Sequence, residues 1–207
     1  MSAQELKLTS PKGYARYPKV LTPDTKFVEL GQYKSDLVLT PEAFAPQKAQ
    51  LDALYTAYTG KPVPADNGMY GPEVDKDTGD PTGNIILKLR VKNRLRKDGK
   101  IWDRRPVQID RQARNLKRDD YVDVGHGSLI RVGYETYCWS MPTGKKGVGL
   151  QPNMIQIIDL KSNTGTPDPE DYGFADEEGT FGADYNESAI ADGFANEDDV
   201  ADDNPDF

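Results

Sequence analysis

Residues 84–110 read NIILKLRVKNRLRKDGKIWDRRPVQID. The first half alternates. Ile85, Leu87, Leu89 and Val91 share one side, and Ile86, Lys88, Arg90 and Lys92 share the other. A period of two is the signature of a strand with one dry and one wet face, and here the wet face is cationic. Asp98-Gly99 supplies tight-turn chemistry. A second extended run over residues 101–109 then returns past Trp102, Arg104 and Arg105. Pro106 has no N–H to give to a ladder, so this run belongs at an edge or ends in a bulge. The expected object is a basic β-ribbon, with Arg94 beside the turn and one Trp among its arginines. Lys and Arg neutralise phosphates, and an aromatic ring stacks on a base. The plainer reading is a solvated strand face.

The overall charge of −8 speaks against nucleic acid only as an average. Residues 168–207 hold 15 acidic residues and no Lys or Arg. The preceding 167 residues keep all 26 basic residues against 19 acidic ones, a net charge of +7. A basic body with an acidic tail is a different object from an acidic protein. Cys138 is the only cysteine, so no internal disulfide forms, which fits a reducing compartment. No apolar run approaches the ~20 residues that span a bilayer, and the first residues lack the apolar core of a signal peptide. The expectation is a soluble, cytosolic protein.

Around the ribbon, residues 14–21, 26–30 and 33–40 read as extended. Thr40-Pro41-Glu42 is a helix start: Thr caps, Pro suits the first turn, and Glu favours the positive end. Pro46 restarts the pattern. Leu51, Leu54, Tyr55 and Tyr58 then follow at helical spacing as a core face, and Gly60 stops the helix. Residues 61–83 read as one long loop on their Pro, Gly and Asp content. Asp66, Asp75, Asp77 and Asp80 have the composition of a calcium loop, but the D-x-[DN]-x-[DN]-G spacing is absent. The longest clean strand covers residues 128–139. Ile130, Val132, Tyr134, Thr136 and Cys138 form its core side; Arg131, Glu135, Tyr137 and Trp139 form the other. The second set places two aromatics and a cation where bases and phosphates meet them, unless the aromatics pack under a loop. Residues 141–149 read as a Gly- and Lys-rich turn with Lys145 and Lys146 at its tip. A last strand over residues 150–160 closes the body.

Several β-runs, one helix and long loops over residues 1–161 predict a mainly β fold, an OB-fold-like five-stranded barrel. Residues 162–207 are rich in Asp, Glu, Gly and Ala, a composition expected to stay disordered. They contain an imperfect repeat, GFADEE at 173–178 and GFANED at 193–198, and end in DDNPDF. A solubilising tail has no use for a terminal Phe; a docking peptide would use Phe207 as an anchor and Asp202, Asp203 and Asp206 on a basic rim.

With these segments together, the chain resembles the bacteriophage single-stranded DNA-binding proteins that have an OB-fold body and an acidic tail ending in an aromatic residue. The likeness runs through YKSDLVLTPEAF, NIILKLRVK, RRPVQID, HGSLIRVGYETYCW, KKGVGLQPNMIQIIDL and the DDNPDF terminus. It implies sequence-independent binding of single-stranded DNA in phage replication and recombination, in the cytoplasm of the infected bacterial host. It also implies tail contacts to the replicative DNA polymerase and helicase-primase. This tail departs from the pattern in being long and Gly-rich with repeated aromatics. From the strands, we expect Lys88, Arg90, Lys92, Arg94, Arg104, Arg105, Arg131, Lys145 and Lys146 to meet phosphates. Trp102, Tyr137 and Trp139 are expected to stack on bases. No cofactor or metal is expected. An enzyme is disfavoured: His126 stands alone between glycines, and one Cys with one His makes neither a zinc set nor a supported thiol dyad. Two other readings use the same sequence: a DNA-mimic or scaffold protein acting through its tail, and an RNA-binding protein.

Overall fold

The structure is a computed structural model and describes residues 5–161 apart from Asp66. The chain opens with strands β1 (Lys7–Thr9), β2 (Gly13–Ala15), β3 (Lys19–Asp24), β4 (Gln32–Lys34) and β5 (Leu37–Leu39), followed by helix α1 (Pro41–Thr59). Next come β6 (Tyr70–Val74), β7 (Pro81–Leu87), β8 (Arg90–Lys92), β9 (Arg94–Leu95), β10 (Ile101–Trp102) and β11 (Val107–Ile109). Two long strands, β12 (Leu129–Ser140) and β13 (Lys146–Asp159), complete the body. The fold is mainly β and OB-fold-like. Its large sheet runs β11-β13-β12-β2-β5-β7-β6, with β1 also paired to β12; β3-β4-β8 form a second sheet, and β9-β10 a separate hairpin.

The alternation in residues 85–91 is realised. Leu87 and Leu89 are fully buried and Val91 nearly so, whereas Arg90 and Lys92 are exposed. The run is nevertheless two strands. It keeps one antiparallel register against residues 32–39, with Leu37 opposite Leu87 and Tyr33 opposite Val91. Between β7 and β8 the ladder is interrupted: the Leu89 N–H donates to the Asp36 carboxylate at 3.1 Å, and the Ser35 N–H to the Leu89 carbonyl at 3.0 Å. One ribbon thereby serves both sheets. A period of two specifies which face is dry, not how many sheets share the strand.

The expected ring of five strands does not close among the described residues. β11 and β6 end the large sheet, and β3 and β8 end the small one. β8 comes within 8 Å of β13, Cα to Cα, but no ladder joins them. The side-chain core inside is continuous, built on Phe44 and Leu51 from α1, Leu37, Leu39 and Leu87 from the β5–β7 pair, and Ile130, Val132, Val148, Leu150 and Ile155 from β12 and β13.

Helix α1 starts and stops where its capping residues dictate. The Thr40 side chain accepts the Ala43 N–H at 3.3 Å, and Gly60 takes the left-handed conformation at φ 70° while its N–H reaches the Thr56 carbonyl. The helix runs through Pro46, where a restart was expected. It forgoes one backbone bond there, while Phe44, Leu51 and Leu54 stay buried on one stripe, and that burial outweighs the lost bond. Replacing Thr40 by Ala is expected to lower stability by about 1 kcal/mol through loss of the cap, read as a lower urea midpoint with an unchanged slope.

Other expectations need correction. Residues 61–83 are not one loop. Tyr70–Val74 pairs with Pro81–Leu87 as a hairpin, with Pro72 tolerated because β6 is an edge strand. Asp75 turns this hairpin by accepting the Asp77 and Thr78 N–H groups, both at 2.9 Å. Asp66 lies outside the described residues. Residues 26–30 form no strand. The run 101–109 also splits: Ile101–Trp102 returns on β9, while Val107–Ile109 joins β13 in parallel as an edge strand just after Pro106. β13 begins at Lys146 rather than Leu150, so the turn tip is at Pro142-Thr143 and both lysines follow it. The chain divides into units Met1–Thr166 and Pro167–Phe207. The tail, with its expected disorder and its candidate residues Asp202, Asp203, Asp206 and Phe207, lies outside the described residues.

Candidate nucleic-acid interface

The two long strands set the centre of the site. Across β12 and β13, Tyr137 faces Gly149 and Trp139 faces Gly147. The pairing is steric. A Cβ at position 147 would lie 2.7 Å from Cε2 of Trp139, and one at position 149 would lie 2.5 Å from Cε1 of Tyr137. Both rings therefore lie down over glycine backbone, with one face against the sheet and the other turned outward, the arrangement in which an aromatic covers a strand glycine. Two residues apart on one strand, they form adjacent platforms. Gly-x-Gly opposite Tyr-x-Trp is the signal sequence reading missed, since those glycines looked like part of a turn.

These rings line a groove of about 720 Å³ that runs along the unladdered seam between β8 and β13. Arg90, Lys92, Arg94 and Arg104 line it with Tyr137 and Trp139. A second depression of about 370 Å³ shares Trp139 and Gly68 with the first, and Lys88, Lys145, Lys146 and Tyr55 line it. Seven of the nine predicted cations and two of the three predicted aromatics thus meet in one trough. Among the described residues, no Asp or Glu lines either part. Arg90 shares its charge with Asp36 at 3.2 Å, and Lys88 donates to the Asn67 carbonyl at 3.1 Å. Lys146 sits 5.6 Å from the Tyr58 ring centre. Tyr55 and Tyr58 pack partly on the core, as expected, but their outer edges belong to this trough and its rim.

Arg104 is the most constrained of these cations. Its guanidinium donates to Gln151, its backbone N–H donates to Asn93 Oδ1 at 2.9 Å, and it lies 5.3 Å from the Trp102 ring centre. Burial, then the nearby charge of Arg94, holds its pKa below the usual guanidinium value, but an arginine so placed stays charged. Asn93 is nearly buried and also donates to the Leu30 carbonyl at 2.9 Å. It therefore braces the groove wall.

Three predicted residues stand elsewhere. Trp102 is exposed on the hairpin at the groove rim, opposite Arg94. Arg105 is drawn away by Tyr33 and Asp103, at 3.4 and 3.8 Å; its pKa is raised, first by the Tyr33 hydrogen bond. Burial raises the Tyr33 phenol in turn. Arg131 shares the strand face of Tyr137 but donates to the Ser10 carbonyl at 3.1 Å, outside the trough. On that same face the Glu135 carboxyl is held below its usual pKa by Lys7 at 3.1 Å. His126 sits in its turn and stacks on Tyr17, with ring centres 4.4 Å apart.

No family model matches the chain, and no curated protein matches it. Solved structures do. The chain superposes on gp2.5, a single-stranded DNA-binding protein encoded by bacteriophage T7, with a TM-score of 0.59 at 18% identity, covering 80% of this chain and 97% of that one. The single-stranded DNA-binding protein of bacteriophage Enc34, as a C-terminal truncation, gives a TM-score of 0.57 at 12% identity over 75% of this chain and 87% of that one. The same phage protein in complex with single-stranded DNA gives 0.54 at 12% identity over 77% and 89%. At these identities the likeness establishes a shared fold.

Proposed function

We propose that this chain is a non-catalytic, sequence-independent single-stranded DNA-binding protein of phage replication and recombination, working in the cytoplasm of an infected bacterium. The observation that carries the reading is the pair of rings, Tyr137 and Trp139, laid over Gly149 and Gly147 in a trough lined by cations. Every base has a π-face, so such platforms accept any sequence. Two of the side-chain amides in the groove are already engaged, since Asn93 and Gln151 hold Arg104. The fold shared with two phage single-stranded DNA-binding proteins supports the same conclusion.

The tail completes the proposal. Its 15 acids act as a tethered polyanion that competes with DNA for the basic trough, and Phe207 with Asp202, Asp203 and Asp206 docks the replicative polymerase and helicase-primase. Gel shifts with single-stranded DNA, duplex and RNA of equal length, on the full chain and on a chain ending at residue 161, test both parts. Single-stranded DNA is expected to bind best. Removing the tail is expected to tighten DNA binding, most at low salt, and to abolish polymerase binding. Removing Phe207 alone is expected to abolish only the polymerase contact. Equal binding of duplex overturns the groove reading, and weaker DNA binding without the tail overturns the competition.

A further inference from the structure

The β9–β10 hairpin has a second face that the trough does not use. Neighbouring residues on a strand point to opposite sides, so the Arg94–Trp102 pair faces one way and the Leu95–Ile101 pair the other. Leu95 is 61% exposed and Ile101 55% exposed. An aliphatic cross-strand pair left in water is unfavourable, and the surroundings are not apolar: the tip carries Arg96, Lys97 and Lys100 with one acid, Asp98, all exposed. The hairpin is also firmly held. Gly99, at φ +79°, donates to the Arg96 carbonyl at 3.1 Å, and the Arg96 N–H to the Lys100 carbonyl at 2.8 Å. Its base is fixed where Arg104 bonds Asn93.

An apolar pair beside a tip with three cations and one acid, a net positive rim, is the complement of one particular DNA surface. Where a duplex ends and a strand peels away, the last base pair shows a flat, weakly polar face bordered by phosphates. Proteins that open base steps use Leu, Ile and similar side chains as wedges against such faces. We propose that this hairpin is a junction wedge: Leu95 and Ile101 seat on the terminal base pair, Arg96, Lys97 and Lys100 hold the flanking phosphates, and the released strand passes Arg94 and Arg104 into the trough. Charge complementarity and continuity with the trough favour a duplex end over an apolar protein partner, which would need an acidic rim. The proposal rests on the reading of the trough as a single-strand site.

The test uses the full chain and two probes: a single-stranded overhang alone, and the same overhang on a duplex with 2-aminopurine in its last base pair. The unaltered protein is expected to bind the tailed duplex roughly tenfold tighter than the overhang, and to brighten 2-aminopurine as the pair unstacks. Leu95→Ser with Ile101→Ser is expected to keep the overhang affinity but lose the extra affinity and the brightening. Both positions are exposed, so the fold is expected to survive, as a thermal scan will report. Lys97→Glu with Lys100→Glu, which leaves the apolar pair intact, is expected to lose the extra affinity too. The wedge is overturned if the serine variant still brightens 2-aminopurine at saturation, or if it loses overhang binding equally. A changed oligomeric state with junction binding intact also overturns it, because the face would then join copies of the chain. If the unaltered protein fails to bind the overhang itself, the single-strand reading has failed, which is a separate result.

Discussion

Replacing Tyr137 and Trp139 together by Ala is expected to weaken binding to oligo-dT by about thirtyfold or more, since each base–aromatic stack contributes ~1–3 kcal/mol. The rings are well placed for so large an effect. Each covers a glycine on the next strand and lies on the sheet face opposite the buried Val132, Tyr134 and Thr136. Removing them exposes backbone rather than opening a core cavity, so the thermal midpoint is expected to move far less than the affinity. Gly147→Val supplies a companion test. The new side chain would occupy the space of the Trp139 ring and displace it while leaving the indole in the molecule. A loss of affinity in this variant shows that ring position, not merely indole content, is what counts. Anisotropy titrations of labelled oligo-dT give the comparison. Binding by the double variant within a factor of two of the unaltered protein would remove the platforms from the mechanism.

Salt is expected to act more strongly still. Seven cations line the trough, and Arg90 is among those partly neutralised, by Asp36. With roughly five phosphates contacted, log affinity should fall with log salt at a slope of about −3.5, so a tenfold rise in salt costs ~3000-fold in affinity. Lys92→Ala with Arg94→Ala removes two contacts, which should make the slope shallower by about 1.4. The aromatic variants should leave that slope unchanged, because a neutral ring releases no counterions. Titrations at several salt concentrations therefore separate the two contributions. A flat response would mean that the trough does not hold a phosphate backbone.

The local features were legible because they depend on neighbours in sequence. The dry side of residues 85–91 follows from strand pleating alone. Thr40 and Gly60 bound the helix through bonds to residues three or four positions away, and Asp98-Gly99 turns the hairpin through Arg96. The basic body, its acidic tail and the shared face of Tyr137 and Trp139 were also plain from residue order. What neighbours do not specify is which strand lies opposite. Only pairing across β12 and β13 puts Gly147 and Gly149 beneath the two rings. Only a parallel partner on β13 takes residues 107–109 away from the hairpin, leaving Trp102 on the rim. Arg131 has the right strand face, but the Ser10 carbonyl, 121 residues earlier in sequence, claims its side chain. Alternation gives a strand its two faces; the register of a distant partner decides which part of a face becomes a site, because the space above each side chain belongs to the residue across from it.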